Sequence, residues 1–328
     1  MHTTGLRGRA GVWARLEIVQ QAVSTREHAA LGNANHVGVA ESVLRALAYS
    51  DLFDYPLSLG ELARYQIETL YSSLDIEAAL ATDPGLRAGV TRSEDGFYCL
   101  QGREQVFATR QARAVASARV WRRARRYGAI ISRFPFVRMV AVTGALAVDN
   151  IAARPDIDLL VVTVAGRVWV ARRVIVALVR LARLFGDDLC PNYIISEKAL
   201  SLDQRDLFTA HELAQMVPLC GPKTYRDMLR QNDWAESYLP SAFKLTAQDL
   251  HSGKPGPVRR MVERVLGLSI FDRWEGWELS RLRQKLRPLV GDDAEVVCSP
   301  YQCKGHTGLH RQWVTARYEE RLRELGLL

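Results

Sequence analysis

The chain lacks a charge-free apolar run long enough to span a bilayer. Its longest apolar stretch, Val168 to Phe185, carries Arg172, Arg173, Arg180 and Arg183, and four guanidinium groups in hydrocarbon are too costly to place there. No membrane span is expected. Met1 to Gly32 contains Arg7, Arg9 and Arg15 but no continuous apolar core ahead of a small-residue cleavage site, so no secretory signal is expected either, and a cytoplasmic location follows. Cysteine is sparse: Cys99, Cys190, Cys220, Cys298 and Cys303 form an odd, scattered set without a C-x-x-C pair, as a reducing compartment allows. Lysine is scarce, 6 against 38 arginines; with frequent alanine this reflects base composition as much as phosphate binding, so a lone arginine carries little weight. No internal repeat or low-complexity tract is present, which excludes solenoid and fibrous architectures.

What remains is an ordinary globular composition, 328 residues with 48% hydrophobic and 24% charged side chains, enough for two or three domains. The net charge of +8 is local: residues 101–140 hold ten arginines against the single acid Glu104, or +9, leaving −1 elsewhere.

Residues 1–38 read as an N-terminal extension that ends in a Gly/Asn/His linker. Helical patterns follow at Ala40 to Tyr49, Leu57 to Tyr65 with Ser58 as its cap, and Leu74 to Ala81, stopped by Asp83-Pro84-Gly85. Two β-like runs, Leu86 to Thr91 and Gly96 to Leu100, complete a winged helix-turn-helix over residues 39–102. The segment in the recognition-helix position, Ser72 to Ala81, contains Asp75 and Glu77 but no lysine or arginine, so direct DNA binding is not expected. Residues 103–135 form an Arg-rich connector helix with Val106, Phe107, Val115, Val120, Trp121 and Tyr127 as packing positions. It is either a solvated connector or a cationic wall beside a phosphate-bearing substrate.

Residues 136–200 are the most patterned. Phe136 to Thr143, Ile157 to Thr163 and Leu189 to Ile195 predict strands, and Ala145 to Ala153 and Val168 to Phe185 predict helices. The strands are nearly continuous apolar runs, which implies a sheet covered by the helices between them. Residues 201–328 read as a helical C-terminal region, with one β-like run at Glu295 to Cys298.

Within this core, Val142-Thr143-Gly144-Ala145 closes the first strand and Asp156-Ile157-Asp158 opens the second, twelve residues after the glycine. Residues i and i+2 of a strand share a face, so both carboxylates can meet common divalent cations while Ile157 packs behind. Their hard oxygens suit Mg²⁺. Gly144 lets backbone approach a ligand closely, and the free N–H groups that open the next helix favour a triphosphate. The alternative reading makes Asp156 a strand cap and Asp158 an ion-pair partner of Arg154, with no metal site.

This arrangement resembles the DNA polymerase β-like nucleotidyltransferase superfamily, whose signature is an apolar residue, Gly, Gly or Ser, about a dozen residues, then Asp-apolar-Asp or Glu. The resemblance covers roughly residues 136–200. A bacterial group of nucleotidyltransferase-domain proteins is similar over more of the chain, through Asp51-Leu52-Phe53-Asp54-Tyr55-Pro56, Gly96-Phe97-Tyr98 and Asn192-Tyr193. The resemblance implies an α/β (α+β) nucleotidyltransferase domain with a mixed sheet, preceded by a winged helix and followed by a helical region. It implies transfer of a nucleoside monophosphate from an NTP, with Asp156 and Asp158 as catalytic metal ligands and Thr143, Gly144 and Ala145 at the nucleotide. The acceptor stays open among a small molecule, a protein and an RNA end. Two positions depart from the pattern. Ala145 stands where Ser or Gly is usual, and the strand that commonly brings a third carboxylate offers Asn192 as the third ligand position, with Asp187, Asp188 and Glu197 only flanking it. A catalytically weak nucleotide-binding sensor or interaction protein, and a winged-helix DNA-binding regulator, are the alternative functions.

Other signals are set aside. Cys298, Cys303, His306 and His310 follow a C-x4-C-x2-H-x3-H order that departs from common zinc modules. His211 and His251 have no local partner pattern. Trp121, Trp169, Trp274 and Trp277 occupy helical positions and are expected in the core.

Overall fold

A computed structural model describes residues 37–152, 156–243, 257–267, 270–286, 296–305 and 310–328. The chain divides at Gly38, and Val39–Leu328 forms one compact unit. Among the described residues no helix is long and apolar enough to cross a membrane.

The first part carries α1 (Val39–Asp51), β1 (Leu57–Ser58), α2 (Leu59–Arg64), α3 (Ser73–Thr82), α4 (Pro84–Gly89), β2 (Val90–Arg92) and β3 (Phe97–Leu100). The strands form an antiparallel sheet in the order β1-β3-β2. Ser58 caps α2 through a reciprocal capping box with Glu61, while Leu57–Ser58 pairs with β3 rather than being helical. Asp83-Pro84-Gly85 does end α3, but it also starts α4. Asp83 accepts the Leu86 N–H at 2.9 Å and Pro84 occupies the first helical turn, so Leu86 to Gly89 is helix instead of strand.

Next comes α5 (Gln105–Ile131), the Arg-rich helix. Its buried residues are Val106, Ser117, Val120, Ala124, Tyr127, Gly128 and Ile131; Val115 is 65% exposed, contrary to its expected packing role. Small residues pack here because the helix passes close to its neighbours, and a Cβ at Gly128 would collide with Leu219.

The main sheet contains β4 (Val137–Val142), β5 (Ile157–Thr163), β6 (Leu189–Ser196), β7 (Val217–Cys220), β8 (Val296–Ser299) and β9 (Gln302–Gly305), in the order β7-β4-β5-β6-β9-β8. It is mixed: β5 and β6 are parallel, joined through α7 (Val168–Leu184), and the other pairings are antiparallel. α6 (Gly144–Ala147) sits between β4 and β5, and α8 (Leu207–Gln215), α9 (Pro222–Gln231), α10 (Ala235–Tyr238), α11 (Pro257–Leu266), α12 (Ile270–Leu286) and α13 (His310–Glu324) follow β6 in the chain. The region read as helical, 201–328, therefore also supplies β7, β8 and β9, and the sheet is not confined to residues 136–200.

Strand alternation sorts the interior into two cores. Met139, Ala141, Leu160, Val162 and Ile195 face a core shared with α1, α2, α8 and residues of the first sheet. Val140, Val142, Ile157, Leu159, Val161 and Ile194 face the other, with α5 and α7. Helices thus cover both faces, as the continuous apolar strands imply, and residues 39–102 share a core with the main sheet. Of the four tryptophans expected inside, Trp169 is 1% exposed, whereas Trp274 and Trp277 are about half exposed and the Trp121 indole donates to Asp149 at 2.6 Å.

Candidate functional site

β4 ends at Val142, Thr143 stays extended, and Gly144 takes φ +64°, a region that L side chains rarely adopt. The Thr143 N–H donates to the Asp158 carbonyl at 3.1 Å. A Cβ built on Gly144 would lie 2.6 Å from Asp158 Oδ2. The carboxylate of the second strand therefore occupies the space that glycine leaves open, which is a physical reason for the spacing seen in the sequence. α6 spans only four residues rather than Ala145 to Ala153; it ends at Ala147, and Asn150 N–H closes back on the Ala145 carbonyl at 2.8 Å. One helical turn offers a few unpaired N–H groups but little macrodipole.

Asp158 lies half-buried on the face shared by Leu160 and Val162, while Ile157 packs into the opposite core. Asp156 is exposed at the strand start. Ligand atoms of Asp156, Asp158 and Cys190 all lie within 4.8 Å of one another. Cys190 arrives because it pairs with Asp158 in the parallel β5–β6 register. Asn192, two residues on, donates its amide Nδ2 to Asp158 Oδ1 at 3.1 Å. Burial, and then the Asp156 charge, push the Asp158 carboxyl up to about 7, opposed by a hydrogen bond from Cys190. Burial and the two aspartates push the Cys190 thiol up to about 12. Among the described residues, neither aspartate forms a salt bridge.

The donor set fits Mg²⁺. Two hard carboxylates suit it, and the protonated thiol of Cys190 acts as a hydrogen-bond donor to Asp158 rather than as a ligand.

Two cavities meet beside this group. One, about 380 Å³, includes Gly144, Ala145, Asp158, Arg113 and Asn150 in its wall, with an aromatic side formed by Tyr49, Phe53, Tyr55, Tyr65 and Phe208. The other, about 340 Å³, lies against Thr143, Leu160, Tyr193 and Lys304. Asn192, Phe208, Glu212 and His310 belong to both walls.

Glu212 was not among the sequence candidates. It sits half-buried on α8, where burial, then the charge of Asp158, push its carboxyl up to about 7, with Lys304 opposing. Its signal was a single acid four residues after Phe208 on a mostly apolar helix, with nothing in the sequence to say what the helix faces. His211 beside it stacks on Tyr49, with ring centroids 3.9 Å apart, and burial holds it down to about 3, so it is a neutral wall residue.

Arg103, just ahead of α5, and Arg110 and Arg113 within it tie the first part of the chain to the site. Arg113 donates to the Phe53 carbonyl at 2.8 Å and to Asn150 Oδ1 at 3.1 Å, and Asn150 Nδ2 donates to the same carbonyl at 2.9 Å. Arg103 meets Asp51 and Asp54, both at 2.6 Å. Arg110 meets Glu61 at 2.9 Å and stacks 4.1 Å from the Tyr55 ring centroid. The cationic helix thus spends several of its charges on internal carboxylates, and the Asp51 to Pro56 string is what it grips.

Cys298 and Cys303 face each other across β8–β9, whereas His310 packs near Phe208 and Trp313. His306, His251 and Arg154 lie outside the described residues. No family model matches this chain, and neither does any curated protein or solved structure.

Proposed function

We propose that this protein is a Mg²⁺-dependent nucleotidyltransferase of the DNA polymerase β-like kind, moving a nucleoside monophosphate from an NTP to a hydroxyl acceptor. The observation that carries the reading is the closeness of the Asp156 and Asp158 carboxylates, without a basic partner among the described residues, with Asp158 filling the gap above Gly144. Neighbouring carboxylates, one of them with its charge opposed by burial as at Asp158, are stabilised by a divalent cation. Mg²⁺ held by Asp156 and Asp158 would supply charge neutralisation at the α-phosphate and the departing pyrophosphate.

The chain's own groups do the rest. Backbone N–H groups at Gly144 and Ala145 bind phosphate oxygens; Ala145 adds no hydroxyl. Asn192 and Cys190 orient the Asp158 carboxylate through donated hydrogen bonds. Glu212, at the junction of the cavities, takes the proton of the attacking hydroxyl, a task suited to a carboxyl that titrates near neutrality. Residues 39–102 act as a winged-helix-like module that frames the aromatic wall; the lack of basic side chains on α3 speaks against duplex reading.

The test is calorimetry with Mg-NTP followed by label transfer from α-labelled NTP, on wild type and Asp156→Ala. Binding and transfer by wild type, both lost in the variant, support the proposal. Binding without transfer to any acceptor favours the sensor reading, which Ala145 and the amide and thiol in place of a third carboxylate favour. A salt-dependent duplex shift that survives loss of both aspartates favours a DNA-binding regulator.

A further inference from the structure

The two cavities differ in a way that bears on the open acceptor. Gly144, Ala145 and Asp158 belong to the aromatic cavity and not to its neighbour, so on the transferase reading the triphosphate enters there. The second cavity shares Asn192 and Glu212 with it. Its wall is dominated by Leu160, Leu202, Phe208, Leu213, Met216 and Met228, drawn from β5, α8, α9 and the residues flanking α8.

Its cations are engaged within the protein. Arg311 donates to Asp206 Oδ2 at 2.8 Å, and Lys304 donates to Gln204 Oε1 at 2.5 Å while lying 5.8 Å from the Tyr193 ring centroid. Asp203 and Glu212 add negative charge to the same wall. A phosphate-rich ligand would have to compete with these contacts and approach two carboxylates that offset the charges of Lys304 and Arg311. A compact apolar body loses water-exposed surface against the leucines and methionines instead, and a volume of this order holds a small molecule.

We infer that the second cavity is the acceptor subsite, and that it takes an uncharged, largely apolar alcohol with its hydroxyl directed to Asn192 and Glu212. The inference rests on the transferase reading and names its second substrate. In the step, the alcohol oxygen forms a bond to the α-phosphorus as the bond from that phosphorus to the bridging oxygen breaks. Pyrophosphate leaves with the electron pair, and the hydroxyl proton passes to the Glu212 carboxylate. The product is a phosphodiester between the nucleoside and the alcohol.

The probe is 2-naphthol, a fluorescent flat alcohol, titrated into the full chain. Saturable binding is expected, weakened about tenfold or more when Gln302→Trp or Leu202→Phe fills the cavity. Without any substitution, cyclohexanol should displace the probe at least about tenfold better than cyclohexyl phosphate. With Mg-NTP present, α-label should move to naphthol and less so in the filled variants. Unchanged probe affinity in both variants, a preference for the phosphate, or label found only on an added RNA oligonucleotide or on protein each overturns the assignment. Mg-NTP calorimetry on the same samples reads the first cavity separately. If the nucleotide does not bind wild type, the transferase reading fails and takes the acceptor role with it. If it binds normally while naphthol does not, the acceptor inference alone fails.

Discussion

Asp51, Asp54 and Glu61 in the first part of the chain, and Asp156 with Asp158 at the head of β5, are the same chemical groups in opposite electrostatic settings. The first set is met by arginines: Asp51 by Arg103 and Arg321, Asp54 by Arg103 and Arg113, and Glu61 by Arg110. Burial pushes Glu61 upward, yet the Arg110 guanidinium, with hydrogen bonds from Tyr55 and Ser58, holds it below the ordinary carboxylate value. The second set has an amide and a thiol as donors, and Asp158 is pushed up to about 7. An acid matched by an internal cation is complete and serves the fold. An acid crowded by another acid lacks that match, and on the transferase reading a cation from outside supplies it.

The sharpest way to break this contrast is to neutralise one acid from each set. Asp158→Asn is expected to reduce label transfer by more than about 100-fold with little loss of fold, since removing a metal ligand exceeds the usual effect of disturbing its support. Equal transfer by the variant and wild type would end the metal reading. Asp51→Asn is expected to do the reverse, costing about 3 kcal/mol of stability because two arginines lose a buried partner, with transfer per folded molecule unchanged. Chemical denaturation together with the transfer assay reads both.

The third comparison uses pH. Because the Glu212 carboxyl holds its proton more tightly in the folded chain, its contribution is intact below the ordinary carboxylate range and falls away as pH climbs through about 7. Glu61 has the opposite sign, and its contribution is lost as pH drops through its lowered value. Glu212→Gln should therefore be more stable than wild type above neutrality, by ~2 kcal/mol, and equal to it near pH 4. Melting temperatures across that range check this; an unchanged pH profile would mean that Glu212 is solvated.

The smallest expected effect compares two glycines in similar backbone conformations. Gly144 and Gly166 have φ +64° and +70°, but only at Gly144 would a Cβ meet another group, the Asp158 carboxylate. Gly166→Ala should lose only the conformational cost, ~1 kcal/mol. Gly144→Ala should lose that and also weaken Mg-NTP binding, by about tenfold. Equal nucleotide affinity in the two variants would detach the glycine from the site.

The legible parts of the molecule were those written in local periodicity. β5 runs over the residues its apolar pattern predicts, and β4, α7 and β6 end within one residue of expectation. The Asp-x-Asp pair lies at the expected strand start, with Ile157 turned to the opposite core. Patterns too short or too mixed were hidden. β7 reads Val-Pro-Leu-Cys, and a proline argues against a strand until it is seen at a sheet edge. β9 reads Gln-Cys-Lys-Gly, without apolar alternation. α6 lost most of its predicted length because the chain turns back at Asn150. Glu212 and Cys190 were invisible for a different reason: each matters through a neighbour distant in sequence, one across the space between α8 and β5, the other through strand register.

The interlock of Gly144 with Asp158 has a consequence for how this protein can change over time. The main-chain contact from Thr143 and the side-chain fit over the glycine make the loop and the acid a single unit. A bulkier residue at Gly144 pushes the acid aside, and a shortened acid leaves a hole that relieves part of the demand for glycine. On the transferase reading, descendants of this chain that abandon nucleotide transfer should shed both residues as a pair, whereas those that keep it should favour the original pair at both.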